Sequence, residues 1–147
     1  MKKALVTGGC GFIGSNLAKK LVSEGWQVDV VDDMSNGHIT LLEGVKFKVL
    51  PNASFILPFY TQAEEGAGRD PDSVLIIQDD FASSYLLSHI ENKSYDVIFH
   101  QAAVPRVSYS VENPAETTDV NILKTVSLFE SCAGNVSRVV FASSSSI

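Results

Sequence analysis

The most constraining stretch of this 147-residue chain is Thr7-Gly8-Gly9-Cys10-Gly11-Phe12-Ile13-Gly14-Ser15, between the apolar run Ala4 to Thr7 and an amphipathic stretch. Glycines at i, i+3 and i+6 in such a strand-to-helix turn serve separate ends. Gly8 takes a backbone turn that a side chain would obstruct, Gly11 lets a pyrophosphate approach the main chain, and Gly14 lets the helix pack closely on its strand. The free N–H groups opening that helix then face phosphate oxygens. About twenty residues on, Val30-Val31-Asp32-Asp33 closes the next apolar run. A carboxylate there accepts hydrogen bonds from both hydroxyls of an adenosine ribose. Asp32 is the better placed, and Asp33 suits a solvated position. The same carboxylate repels a 2′-phosphate and no arginine follows directly, so the expected cofactor is NAD rather than NADP.

The rest of the chain keeps the alternation that this turn begins. Ala4 to Thr7, Gln27 to Val31, Val74 to Ile77, Asp96 to His100 and Arg138 to Ala142 are short apolar runs that read as buried strands. The intervening stretches read as helices. The first has Ile13, Leu17 and Leu21 in one row, Gly14, Ala18 and Val22 in the next, and Gly25 as its stop. A later one spans Pro114 to Ala133, with Ile122, Val126 and Phe129 at i, i+4 and i+7 and a Gly134-Asn135 stop. Strands alternating with helices imply right-handed crossovers in a three-layer, doubly wound parallel α/β sheet, a Rossmann fold forming one domain over residues 1–147. Pro51 to Ser73, with its three prolines and the patch Phe55-Ile56-Leu57-Pro58-Phe59-Tyr60, breaks the alternation. It reads as an insertion preceded by a short extra strand at Val45 to Leu50. It is either a surface excursion or a lid or oligomer contact.

Composition excludes several function classes. Seventeen acidic against 11 basic residues give a formal net charge of -6, the wrong sign for a nucleic-acid or anionic-membrane surface. An anionic ligand has to be held locally, by backbone groups. Cys10 and Cys132 match neither a disulfide framework nor a paired metal-ligand spacing, and no metal is expected. The apolar run after Met1-Lys2-Lys3 breaks at Thr7-Gly8-Gly9, too soon for a signal-peptide core. No stretch reaches the ~18 apolar residues that span a bilayer, so a cytoplasmic protein is expected and Asn52-Ala53-Ser54 is read as a chance glycosylation sequon.

The glycine turn, together with Asp32-Asp33-Met34-Ser35-Asn36-Gly37, resembles the extended short-chain dehydrogenase/reductase family, above all its nucleotide-sugar 4-epimerases of the UDP-glucose 4-epimerase type. The resemblance implies NAD held by Gly8, Gly11, Phe12, Ile13, Gly14, Asp32, Asp33 and Asn36. Asp80-Phe81 matches an acidic-apolar pair that contacts adenine in that family; from the residues alone, Asp80 as a helix cap is the alternative. His100-Gln101-Ala102-Ala103 resembles the segment along the cofactor's ribose and diphosphate, which adds Gln101, Ala102 and Ala103 to the set and leaves His100 structural. Tyr109-Ser110-Val111-Glu112-Asn113-Pro114 resembles a loop facing the nicotinamide and sugar. Ser108 stands where some glucuronate-type epimerases carry arginine, and Arg106 is either a phosphate or carboxylate contact or a solvated loop residue. Asn121 matches an asparagine that supports the family's catalytic lysine through water, or it is an exposed polar helix residue. Lys124 replaces a common glycine, a change expected to leave the chemistry unaltered.

Phe141-Ala142-Ser143-Ser144-Ser145-Ser146-Ile147 resembles the epimerase signature Ser-Ser-Ser-Ser-Val-Tyr-Gly, which makes Ser144 the catalytic hydroxyl at the sugar's C4 oxygen; a flexible terminus is the alternative. Related dehydratases follow that hydroxyl with Asp-Glu, and decarboxylases place a glutamate two residues after it. Ser145 and Ser146 stand there instead, and neither serves as the acid or base of water elimination. The expected reaction is NAD-dependent epimerisation at C4 of a UDP-sugar, by a homodimer paired through the long helix. The family's Tyr-x-x-x-Lys pair is missing: after Tyr60, Tyr85, Tyr95 and Tyr109 stand Glu64, His89, Phe99 and Asn113. The smaller C-terminal substrate domain is missing too, so the resemblance implies an active parent protein and an inactive isolated chain. A non-catalytic NAD-binding module, or a dehydratase or reductase of the same superfamily, are the competing readings.

Overall fold

The computed structural model describes residues 1–51, 69–70 and 72–144. Six strands form one parallel sheet: β1 (Lys3–Thr7), β2 (Gln27–Asp32), β3 (Lys46–Pro51), β4 (Ser73–Gln78), β5 (Val97–His100) and β6 (Arg138–Phe141). Their order is β3-β4-β2-β1-β5-β6, the doubly wound arrangement expected. The chain lays β2 beside β1, puts β3 at the edge and β4 between β2 and β3, and then crosses to lay β5 on the other side of β1, so the order reverses between β1 and β5. At such a reversal the crossovers leave to opposite faces and open a crevice beyond the strands' carboxyl ends.

The inner strands are apolar almost throughout because both their faces are covered. Val6, Val28, Val30, Val74 and Ile76 point into one core layer with Ala18 and Leu21 of α1 (Phe12–Ser23). Leu5, Val31, Leu75, Ile77 and Ile98 point into the other, with Leu86 and Ile90 of α2 (Ser84–Glu91). Alternate residues of one strand therefore serve opposite layers. Among the described residues no helix is long and apolar enough to cross a membrane.

Helix α1 packs the expected apolar face on the sheet, Leu17 and Val22 lying against the core beside its buried residues, with Ile13 the exception. Gly14, Ser15, Ala18 and Leu21 are buried, while Phe12 is 76% and Ile13 65% exposed. Small side chains let the helix axis approach the sheet, so the glycine and alanine row wins over the isoleucine. Gly25, at φ +80°, follows the helix as expected.

The stretch 104–114 contains a short helix, α3 (Val107–Glu112), where a loop was expected. The long helix is present as α4 (Pro114–Thr118), a π-helical turn (Asp119–Leu123) and α5 (Lys124–Cys132). Its inner face carries Thr125, Leu128, Ser131 and Cys132. The apolar row Ile122, Val126 and Phe129 is the outer one, 56%, 51% and 36% exposed.

The extra strand before the insertion is present as β3, and it pairs in parallel with β4 from Lys46↔Ser73 to Pro51↔Gln78. Neighbouring parallel strands need a connection of a dozen or more residues, so the length between Pro51 and Ser73 is a requirement of topology. The aromatic patch at 55–60 lies outside the described residues. The returning chain is pinned by Arg69, whose guanidinium bonds the Asp29 carboxylate and the Val28 and Ser73 carbonyls. Lys3 holds the other Asp29 oxygen at 2.9 Å. Asp29 is buried inside β2, and a charge there is tolerable only with both oxygens engaged.

Candidate cofactor-binding site

The glycine turn is held by short backbone bonds. Gly8, at φ +65°, donates its N–H to the Val31 carbonyl at 2.8 Å, and Gly11 donates to the Gly8 carbonyl at 3.1 Å. A Cβ on Gly14 would lie 2.3 Å from the Gly8 oxygen and 2.7 Å from the Gly9 Cα; one on Gly8 would lie 2.9 Å from the Ala102 nitrogen. These neighbours are main chain and cannot rotate aside. Gly11 caps α1 without a side-chain acceptor, so the first N–H groups of the helix remain for a ligand's oxygens.

The two sides of the crevice are joined by a buried polar chain. Thr7 Oγ1 accepts the N–H groups of Gln101 (3.2 Å) and Ala102 (3.1 Å). With two donors already on it, that hydroxyl gives its own proton to His100 Nδ1 at 2.7 Å. His100 Nε2 then carries the ring hydrogen and donates to Thr125 Oγ1 at 3.1 Å, a tautomer assigned from the network. Burial lowers the His100 pKa to about 4, and the neutral ring packs among Phe81, Phe129 and Phe141. His100 is thus a structural link from the end of β1 to α5.

Asp32 plays the matching part on the other flank. It is 8% exposed; its Oδ2 accepts from the Cys10 N–H at 2.9 Å and its Oδ1 from the Met34 N–H at 3.0 Å. A Cβ on Gly37 would come within 2.5 Å of Oδ1, so the glycine there is what lets the loop fold over the carboxylate. Burial raises the Asp32 pKa, and the two backbone donors oppose that rise. Asp33 is exposed and caps Ser35 through its N–H (2.9 Å) and hydroxyl (2.6 Å).

A cavity of about 620 Å³ opens at the reversal point. Gly8, Gly11 and Phe12 line it from the glycine turn, Asp32, Asp33 and Asn36 from the end of β2, Asp80 and Phe81 from the end of β4, and Gln101, Ala102 and Ala103 from the end of β5. Four residues expected in the site do not line it. The Ile13 side chain points outward, and Gly14 contributes only by its closeness to Gly8. Asn121 closes its amide on the main chain of Val104, accepting from the N–H at 2.8 Å and donating to the carbonyl at 3.0 Å. Ser144 is exposed beyond β6, and 145–147 lie outside the described residues.

Asp80 does not cap α2. Ser83 does, accepting from the Leu86 N–H at 3.3 Å. Asp80 accepts from the Ala82 N–H at 2.8 Å and pairs with Lys124 Nζ at 2.6 Å. Lys124, expected to be inert, lines the cavity; a cation three residues after Asn121 shares its helix face, which was the available signal. Arg106, Tyr109 and Glu116 also line the cavity. The Tyr109 hydroxyl donates to Glu116 at 2.8 Å, and that bond raises its pKa. Among the described residues no cluster of three His, Cys, Asp or Glu could hold a metal ion.

A glycine turn into a helix, an acidic residue closing the second strand and a crevice at the reversal of strand order define a dinucleotide-binding α/β domain. Residues 4–147 match the NAD dependent epimerase/dehydratase family, and the chain belongs to it. A putative UDP-glucose 4-epimerase of Methanocaldococcus jannaschii is 33% identical over 95% of this chain and 37% of its own length. The UDP-N-acetylglucosamine 4-epimerase of Methanobrevibacter ruminantium M1 superposes with a TM-score of 0.74 at 28% identity, covering 99% of this chain and 39% of that one. The Bordetella bronchiseptica enzyme WbmF, solved in complex with NAD+, superposes with a TM-score of 0.67 at 25% identity over 95% of this chain and 35% of that one. The chain thus spans well under half the length of these relatives, over the part that forms the sheet described here. The cofactor is NAD, and the residues fit it: the cradle is closed to any Cβ at Gly8 and Gly14, and Asp32 faces the cavity beside it.

Proposed function

We propose that the chain is the NAD-binding portion of a nucleotide-sugar 4-epimerase acting on a UDP-sugar. The observation that carries the reading is the single crevice into which the ends of β1, β2, β4 and β5 bring the glycine turn, Asp32, Asp80 and the Gln101–Ala103 segment. NAD, when bound, would supply a hydride acceptor and donor for C4 of the sugar. The chain's own part is to hold: Gly8, Gly11 and the opening of α1 bind phosphate oxygens, Asp32 the ribose, and Gln101 to Ala103 leave room at the strand ends. Ser144, leaving β6 beside β5, would hold the C4 oxygen by hydrogen bonding. Serine at 145 and 146 favours epimerisation over water elimination, which needs an acid or base there.

The proton of the C4 hydroxyl needs a base, and Tyr109 is a poor one because its bond to Glu116 raises its pKa. With no Tyr-x-x-x-Lys in the sequence, the purified 147-residue chain is expected to bind NAD by calorimetry and not to interconvert UDP-glucose and UDP-galactose. Measurable turnover would sink the assignment of the base outside these residues, and failure to bind NAD would sink the whole reading. Pairing of the long helix with its copy is supported by the exposed row Ile122, Val126 and Phe129, and sedimentation of the chain tests it.

A further inference from the structure

The stretch between β5 and the long helix is tied firmly at its two ends. At the start, the Asn121 amide grips the N–H and carbonyl of Val104 at 2.8 and 3.0 Å. At the far end, the Asn113 carbonyl accepts the Thr117 N–H at 3.1 Å and the Thr117 hydroxyl at 2.9 Å. Between these anchors runs α3, in which no residue is buried. Its two valines turn outward, Val107 79% and Val111 75% exposed, and it packs chiefly on α4. No apolar side chain therefore draws α3 onto the body of the domain.

Most of the hydrogen bonds of α3 close on the segment itself. The Ser110 N–H and hydroxyl donate to the Arg106 and Val107 carbonyls, and the Asn113 N–H donates to that of Tyr109. They keep the shape of the helix without fixing its place. Among the described residues, the side-chain bond that fastens its middle to the domain runs from the Tyr109 hydroxyl to Glu116 of α4, at 2.8 Å. Val104, Pro105, Arg106, Tyr109 and Glu116 all line the crevice, so a displacement of α3 opens the wall on the β5 side. A segment with so few buried contacts opens at low cost in free energy. A pocket that encloses most of its ligand has to part somewhere to admit it.

We propose that residues 105–112 form a flap on the cofactor crevice, with the Tyr109–Glu116 bond as its catch, and that the catch sets how fast the dinucleotide enters and leaves. This rests on the reading of the crevice as the NAD site. The flap is closed in the free and in the loaded chain alike, so the catch is present in both. Removing it lowers the barrier in both directions and leaves the affinity nearly unchanged. A side chain that held the dinucleotide directly would be lost from the bound state alone and would show in the release rate.

The test is stopped-flow mixing of the 147-residue chain with NADH, followed by nicotinamide fluorescence, for the native protein, Tyr109→Phe, Glu116→Ala, Glu116→Gln and the Tyr109→Phe/Glu116→Ala double variant. Tyr109→Phe and Glu116→Ala are each expected to raise association and dissociation rates together by about fivefold, the worth of one such hydrogen bond. The double variant should match either single one, because both remove the same bond. Glu116→Gln loses the charge but keeps an acceptor and should stay close to the native rates, which separates the catch from electrostatic steering. Native rates in both single variants, faster release alone, or a double variant showing the product of the single effects overturns the proposal. Amide hydrogen exchange in the free native chain needs no variant and decides the matter if the variants fail to fold. Residues 107–112 should exchange faster than β5 and slow down when NAD is added, and equal protection with and without NAD overturns the flap. A native chain that does not bind NADH overturns the cofactor reading and the flap with it, whereas binding at native rates in every variant overturns the flap alone.

Discussion

His100 makes the stability of this domain depend on pH in a calculable way. Its ring is 1% exposed and bonded on both nitrogens, and burial lowers its pKa from 6.5 to about 4. In the unfolded chain the same ring titrates near 6.5. Between these values the unfolded state binds a proton that the folded state refuses, so stability falls as pH falls from 6.5 toward 4 and is flat outside that window. The full gap is worth about 3 kcal/mol. Of this, about 2 kcal/mol is lost between pH 7 and pH 5. Asp32 acts in the opposite sense: its folded pKa is raised, so the folded state takes up that proton first and gains stability as pH falls through the folded value. Subtracting a variant that lacks only the imidazole removes this contribution. Urea unfolding of the native chain and His100→Asn, at pH 7, 6 and 5, should give a difference in unfolding free energy that shrinks by about 2 kcal/mol across the range. The variant will be less stable at pH 7, because Thr125 or Thr7 loses a partner, but only the slope is diagnostic. Parallel pH dependences for the two proteins would refute the neutral, buried link from β1 to α5.

Gly14→Ala sets helix propensity against packing: alanine gains up to about 1 kcal/mol in a helix, but its Cβ would meet the Gly8 oxygen at 2.3 Å. Backbone displacement is the larger effect at about 1–3 kcal/mol, so melting should fall by several degrees and NAD binding should weaken; a variant as stable as the native chain would show that Gly14 is not needed for close approach. Asn121→Ala strands the N–H and carbonyl of Val104, at about 1–3 kcal/mol if they stay buried. Thermal unfolding should register the loss, and an unchanged midpoint would mean that water replaces the amide at no cost.

The parts of the fold legible in the sequence are those in which one residue type answers one local demand. Gly8 and Gly14 are required by close main-chain contacts, and Val28, Val30, Val31 and the run Val74 to Ile77 are apolar because they are covered on both faces. What was illegible depends on distant partners. Asp29 in the middle of a strand looks like an error until Arg69, 40 residues away, and Lys3 are placed against it. Lys124 looked inert because its partner Asp80 is 44 residues distant. Asp32 was visible as a carboxylate ending a strand, but its bond from the Cys10 N–H, 22 residues away in the chain, was not.

The long helix shows why a count of apolar residues does not by itself say which face packs on the sheet. Its inner row reads Asn121, Thr125, Leu128, Cys132, at i, i+4, i+7 and i+11, while the outer row offers Ile122, Val126 and Phe129. By hydrophobicity the outer row should pack on the sheet. The inner row does so because each polar member meets a fixed complement: Asn121 the main chain of Val104, Thr125 the ring of His100. Buried polar groups that are fully satisfied cost little and specify one arrangement. Asn121 also lies within the π turn at Asp119–Leu123, a local widening of the kind frequent at functional sites. The same two bonds that orient the helix fasten the loop and strand end that border the cofactor crevice. The helix is therefore seated by these two polar links together with Leu128 and Cys132 in the core, which leaves Ile122 and Val126 outside for contact with another surface.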